Sequence, residues 1–179
     1  MAKRSRKLRT PLILFGEGPT EELFLGLIKS HYAAELADKA ITLGNGEGGS
    51  PGSILLALKK RILNVGASST PALALIDADK GLDDEAKEIL KEHPNIQVVF
   101  SRPECLEGLM LALLGDLPPL HQQTAEQLKY RFQDRHLGAR KKVILQFKRK
   151  RAELFPKELF ESQKEANPVL SDIFRFLGI

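Results

Sequence analysis

Four carboxylates carry the chemistry this sequence offers: Glu17, Glu21, Asp77 and Asp79. Glu17 stands between two glycines after the apolar run Leu12-Ile13-Leu14-Phe15, and Pro19-Thr20-Glu21-Glu22 opens a helix at once. Asp77-Ala78-Asp79 follows a second apolar run, Leu73-Ala74-Leu75-Ile76. On an extended backbone, residues two apart point to the same side, so Asp77 and Asp79 are expected to present their carboxylates together. Carboxylates that close repel unless a cation lies between them. Hard oxygen ligands suit magnesium or manganese rather than zinc. Glu21 lies one helical turn beyond Glu17 and is placed to face the same crevice. Such a cluster would hold one or two ions, and a pair about 3.5–4 Å apart stabilises the attacking and leaving oxygens of phosphodiester transfer. A plainer alternative stays open for each element alone. A D-x-D after a strand is common loop polarity, and a glutamate ahead of a helix complements its dipole. Their joint placement at two strand ends, where open α/β sheets put their ligands, makes one candidate site of them.

The elements that must position these residues follow from periodicity. Apolar runs predict strands over 11–16, 40–44, 72–77 and 95–100, and helical spacing predicts helices over 19–32, 52–64, 83–92 and 104–114. Pro19 suits a first helical position, and Leu23, Phe24, Leu27 and Ile28 form a buried stripe behind it. Asp83, Asp84 and Glu85 suit a first helical turn. Strands alternating with helices imply a mainly parallel four-stranded sheet covered on both faces. After residue 115 the pattern changes. Pro118-Pro119 marks a break, and only helical periodicity follows, over 122–135, 139–155 and 169–177. Val143, Ile144, Phe147 and Leu154 are expected to form the apolar stripe of the middle segment. The organisation expected is a basic arm over 1–9, an α/β domain over 10–115 and a helical extension over 116–179 packed on the same domain.

Composition narrows the function classes. The 179 residues suit one domain, and 42% hydrophobic with 28% charged residues is ordinary for a globular protein. One cysteine, Cys105, excludes an internal disulfide and fits a reducing compartment. No apolar run approaches the roughly 18 residues needed to cross a bilayer. The N-terminal apolar run is too short for a signal peptide, so a cytoplasmic location with no membrane partner is expected. The net charge is only +4, but it is unevenly placed. Residues 1–9 carry five basic side chains and no acid, and residues 127–151 carry ten against one acid, Asp134. The remainder holds 12 basic and 22 acidic side chains. Basic regions on an acidic body point to a polyanion, and Arg140, Lys141, Lys142, Lys148, Arg149, Lys150 and Arg151 are the candidate nucleic-acid contacts. The alternative is a solvated tail and a solvated helix face.

Other signals carry less. Gly44-Asn45-Gly46-Glu47-Gly48-Gly49 contains a G-x-G-x-x-G match, but it follows the second strand, and Glu47 puts negative charge in a would-be phosphate cradle. It reads as a flexible loop near the crevice. His31, His93, His121 and His136 share no metal-ligand spacing. Tyr130 and Phe132 lie in the basic region, where such aromatics more often anchor a helix than stack on bases. Lys80, directly after the D-x-D, would neutralise a phosphate or simply sit on the surface.

With these residues in place, the chain resembles the Toprim domain of topoisomerases, bacterial primases and several nucleases. The resemblance rests on Glu17-Gly18-x-Thr20-Glu21 followed by Asp77-x-Asp79. Within that family it is most similar to small RloB-like proteins and to the Toprim part of the overcoming-lysogenization-defect nucleases. Ser101-Arg102-Pro103-Glu104-Cys105-Leu106-Glu107-Gly108-Leu109-Met110-Leu111 resembles the RloB-like S-x-P-C-F-E-L-W-L-L segment. The likeness covers roughly residues 10–115. It implies a Toprim-like Rossmannoid sheet and a magnesium- or manganese-dependent nuclease acting on DNA or RNA. Glu17 would be the Toprim glutamate, ligating metal or acting as general acid/base. Asp77 and Asp79 would bind metal, and Glu21 would be a further ligand or base. Glu107 matches a glutamate of the RloB-like segment, and with Lys80 it is a possible additional site residue. The chain departs from the pattern at Gly108 and Leu109, which replace a bulky pair, and it lacks the closing histidine. The resemblance further suggests phage defence, with a partner ATPase or another defence-system protein. Two other functions fit the same residues less well: a Toprim-fold module that binds nucleic acid or protein without turnover, and a magnesium-dependent phosphatase, which would want an aspartate where Glu17 stands.

Overall fold

The computed structural model describes residues 8–65, 68–116, 123–138 and 141–179. Most of the basic arm, the Pro118-Pro119 break, His121 and Arg140 lie outside the described residues. Strand β1 (Thr10–Gly16) leads to helix α1 (Pro19–His31), β2 (Lys39–Asn45), α2 (Pro51–Val65), β3 (Ala72–Asp77), α3 (Asp84–Glu92), β4 (Ile96–Ser101) and α4 (Leu106–Leu113). The helical part follows as α5 (Ala125–Phe132), which runs into a π-helical turn (Gln133–Leu137), then α6 (Val143–Leu154), α7 (Lys157–Gln163) and α8 (Pro168–Leu177). The protein is an α/β structure with a Rossmann-like, wholly parallel four-stranded sheet in the order β2-β1-β3-β4. Among the described residues no helix is long and apolar enough to cross a membrane.

The apolar character of both strand parities has a structural reason. Leu12 and Leu14 of β1, with Leu73 and Leu75 of β3, face the core shared with α1, α4 and the C-terminal helices. Ile13, Phe15, Ala72, Ala74 and Ile76 face the opposite core, under α2 and α3. A strand buried on both sides has no polar parity left. The first core is sewn together by aromatic rings. Phe24 of α1 meets Phe155 and Phe160 edge-on at 6.0 and 5.8 Å, and Phe132, Phe147 and Phe174 extend the set.

Two expectations in the C-terminal part need correction. Helix α7 has no counterpart in the sequence reading. Pro156 lacks the N–H that would continue α6 and instead stands as the cap residue before Lys157. Ile144 is not part of the buried stripe: it is 48% exposed, while Phe147 is fully buried. The 3.6-residue repeat tolerates either side of Phe147, and packing of α6 against α1 decides which side faces inward.

The sheet order also locates the crevice. The chain leaves β1 toward β2 on one side and returns to β3 on the other. The C-terminal ends of β1 and β3 therefore border the point where the winding reverses, the usual ligand position in such sheets.

Candidate functional site

Glu17 follows β1 at that edge. Its N–H donates to the Leu75 carbonyl at 3.0 Å, extending the ladder one step, and its carbonyl accepts from Gly48 at 2.9 Å. Its Oε2 accepts the backbone N–H of Asp77 at 3.0 Å, so the two strand-end acids are joined directly. Gly16 makes this turn possible. A Cβ there would lie 2.5 Å from Cβ of Glu21 and 2.7 Å from the backbone nitrogen of Glu22. The first turn of α1 can therefore close on the strand end only over a residue with no side chain.

Glu21 is the third residue of α1, and its Oε2 accepts the Gly18 N–H at 2.9 Å, one arm of a capping box. It is only 7% exposed. Burial, then the charge of Asp77 and that of Glu107, push its carboxyl up to about 7. Glu17 is raised too: burial drives it up, the Asp77 N–H draws it back, and the Asp77 charge adds to the rise.

Asp77 ends β3 and is 3% exposed. Its Oδ1 accepts from Ser101 Oγ and from the Leu106 N–H, both at 2.9 Å, and its Oδ2 accepts from Lys129 Nζ at 3.0 Å. Ser101 is its register partner on β4, and Leu106 is the first residue of α4, so a helix N-terminus also faces this carboxylate. Gly108 permits that approach, since a Cβ there would lie 2.1 Å from the Pro103 carbonyl oxygen.

The two aspartates of the D-x-D do not behave alike, contrary to the extended-backbone expectation. The strand stops at Asp77 and residues 78–79 form a turn, so alternation no longer governs Asp79. Asp79 is exposed, and its N–H donates to the Glu104 carbonyl at 3.0 Å. Lys80 is half exposed; its Nζ lies 3.9 Å from Glu17 Oε1 and donates to the Gly49 carbonyl at 3.2 Å, tying the glycine loop to the site.

Glu107, in the first turn of α4, is 6% exposed, and its Oε2 is buried with no hydrogen-bond partner among the described residues. Burial raises its carboxyl, Lys129 draws it back and Asp77 adds to the rise. Lys129 is the residue the sequence did not single out. Burial pulls its ammonium down, but the Asp77 charge, the hydrogen bond to Asp77 and the Glu107 charge outweigh this and hold it protonated above its ordinary range. Nothing local distinguishes Lys129 from the basic residues around it, because its partner lies 52 positions away. Among the described residues, no three His, Cys, Asp or Glu side chains are gathered in a geometry that could hold a metal ion. Internal donors engage Glu17, Glu21 and Asp77 instead. In kind, carboxylate oxygens suit a hard cation, and one buried oxygen, Glu107 Oε2, lacks a donor among the described residues.

The basic region divides into two sets. Lys141, Lys142, Lys148 and Arg149 are exposed. Lys150 instead donates to the His136 and Leu137 carbonyls at 3.2 Å each, closing the π-helical turn, and Arg151 reaches the Leu23 carbonyl at 3.4 Å. Arg131, Arg135 and His136 converge on Asp116, whose carboxyl the Arg131 hydrogen bond holds low.

No family model, no curated protein and no solved structure matches this chain.

Proposed function

We propose that the protein is a metal-dependent phosphodiesterase of the Toprim type, a nuclease acting on DNA or RNA. The observation that supports this most is the joining of Glu17 to Asp77 at the switch point of a parallel sheet, with the buried Glu21 feeling the charges of Asp77 and Glu107, and the Glu107 Oε2 without a donor among the described residues. Glu17, Glu21, Asp77 and Asp79 would hold magnesium or manganese. The ion, when bound, would supply positive charge to the phosphodiester oxygens. Glu17 is oriented for its role by the Asp77 N–H. Glu21, pushed up to about 7 chiefly by burial, would serve as a general base near neutral pH where it does not ligate the ion. Ser101 and the start of α4 fix Asp77 through its Oδ1, and Oδ2, which Lys129 holds, is the oxygen an ion would share. The exposed Lys141, Lys142, Lys148 and Arg149 would grip a phosphate backbone.

A second reading has its own support. Asp77 already has a cation, Lys129, which favours a module that binds nucleic acid or protein without turnover. Incubation with plasmid, single-stranded DNA and structured RNA, in magnesium, manganese or EDTA, separates the two. Cleavage is expected with metal and not in EDTA, and Asp79→Ala, an exposed change that spares the core, is expected to lower the rate at least tenfold. If no substrate is cut under any condition while one is still bound, the module reading replaces the nuclease.

A further inference from the structure

The acidic cluster has a built-in cation. The Lys129 ammonium has three donors, and one of them goes to Asp77 Oδ2 at 3.0 Å. The other Asp77 oxygen is filled by Ser101 Oγ and the Leu106 N–H, so Lys129 holds the remaining oxygen of this buried carboxylate. Lys129 also bears electrostatically on Glu17 and Glu107. The ammonium is the cation that meets this carboxylate oxygen. Glu107, whose charge acts on Lys129, has a buried oxygen with no donor among the described residues, so the ammonium does not satisfy every carboxylate oxygen.

We propose that Lys129 fills one cation position of the cluster, and that removing it opens one further divalent-ion site at the Asp77 oxygen it vacates. The inference deepens the metal-binding reading and rests on its premise that these carboxylates accept a divalent ion. Its physical basis is charge compensation. A buried carboxylate that loses its partner is left with an uncompensated charge, and a hard divalent ion is the replacement that carboxylate oxygens favour. Lys129 is then a charge-compensating residue that limits how many ions the native protein loads. The other basic residues do not substitute for it: Arg131 and Arg135 are held by Asp116, Lys150 by backbone carbonyls, and Lys80 by the Gly49 carbonyl beside Glu17.

The test counts ions. The full chain, its Lys129→Met variant and its Lys129→Arg variant are stripped with chelator and titrated with Mn²⁺ alone, and bound ions are counted from the loss of the free Mn²⁺ resonance signal. Lys129→Met is expected to bind one ion more than the wild type, and Lys129→Arg the same number as the wild type. Thermal unfolding with and without Mn²⁺ gives a second readout: the rise in melting temperature on adding Mn²⁺ should be at least twice as large for Lys129→Met as for the wild type. An equal, non-zero count in wild type and Lys129→Met would overturn the inference and leave the metal-binding reading standing. A count of zero in both would sink that reading, and the inference with it. An extra ion in Lys129→Arg as well would show that packing rather than charge opened the site, and would also overturn it. If Lys129→Met folds only in Mn²⁺, that supports the proposal. If it folds in neither condition, Lys129→Gln takes its place in the count, and failure of that variant to fold or take up an ion in Mn²⁺ would overturn the inference.

Discussion

At the scale of single residues, the site is a set of carboxylates that disfavour one another's charge. Glu21 is the clearest case, because its ordinary value of 4.5 is raised to about 7 chiefly by burial and by the Asp77 charge. The sign of the consequence follows directly. Below about 4.5 the group is protonated folded or unfolded and contributes nothing. As pH rises toward 7 the unfolded chain releases its proton first, so the folded state loses stability, and above about 7 the loss is complete. A shift of this size corresponds to about 3 kcal/mol. In the presence of EDTA the urea midpoint should fall between pH 4.5 and 7, with Glu17 and Glu107 pulling in the same direction. Glu21→Gln keeps the capping box, since its amide oxygen still accepts from Gly18, and it should flatten most of that slope. An unaltered slope in this variant would show that Glu21 is not the group responsible.

At the scale of elements, α6 does two jobs with similar residues. Lys148 and Arg149 are exposed, as are Lys141 and Lys142 just before the helix, whereas Lys150 and Arg151 are spent on backbone carbonyls of the π-helical turn and α1. The two sets should separate by experiment. Replacing Lys141, Lys142, Lys148 and Arg149 by Ala should reduce the slope of log affinity against log salt by up to about 4 for duplex DNA, leaving the fold intact. Lys150→Ala should do the reverse, lowering stability by about 1 kcal/mol with the salt slope unchanged. Filter-binding across a salt series and urea unfolding read the two effects. Equal behaviour of the two sets would mean that the exposed charges are only a solvated face.

At the scale of the molecule, the helices after residue 115 share a core with the sheet. Phe155 is fully buried and lies against Phe24 of α1 as well as Phe132, Phe147 and Phe160, and the His31 ring donates to the Phe155 carbonyl at 2.9 Å. α5 in turn brings Lys129 to Asp77. The site is therefore completed by a part of the chain beyond the four-stranded unit. Phe155→Ala should cost about 3–5 kcal/mol, as large aromatic truncations in cores do. Wild type and variant should each unfold in one cooperative transition, followed by circular dichroism and by intrinsic tyrosine fluorescence. Two separate transitions would show that the helical part stands on its own.

The sequence by itself determined the alternation of strands and helices, the parallel sheet and the strand-end positions of Glu17 and Asp77. These are local matters: apolar runs of doubly buried strands, a proline at a helix start and a glycine where a Cβ would strike α1 are all written within a few residues of where they act. The sequence also pointed to Glu21 and Glu107 without their environment. Only the tertiary structure decided the rest. Asp79 left the face of Asp77 because the strand stopped between them, and strand length depends on pairing with β4 rather than on the D-x-D itself. Helix α7 emerged because Pro156 ends one helix and caps the next while Phe155 and Phe160 reach the common core. Lys129 became the partner of Asp77, and Lys150 a structural donor, although both read as members of one basic stretch. A charge declares its sign in sequence, but its partner is chosen by contacts between residues many positions apart, and those exist only once the chain has packed.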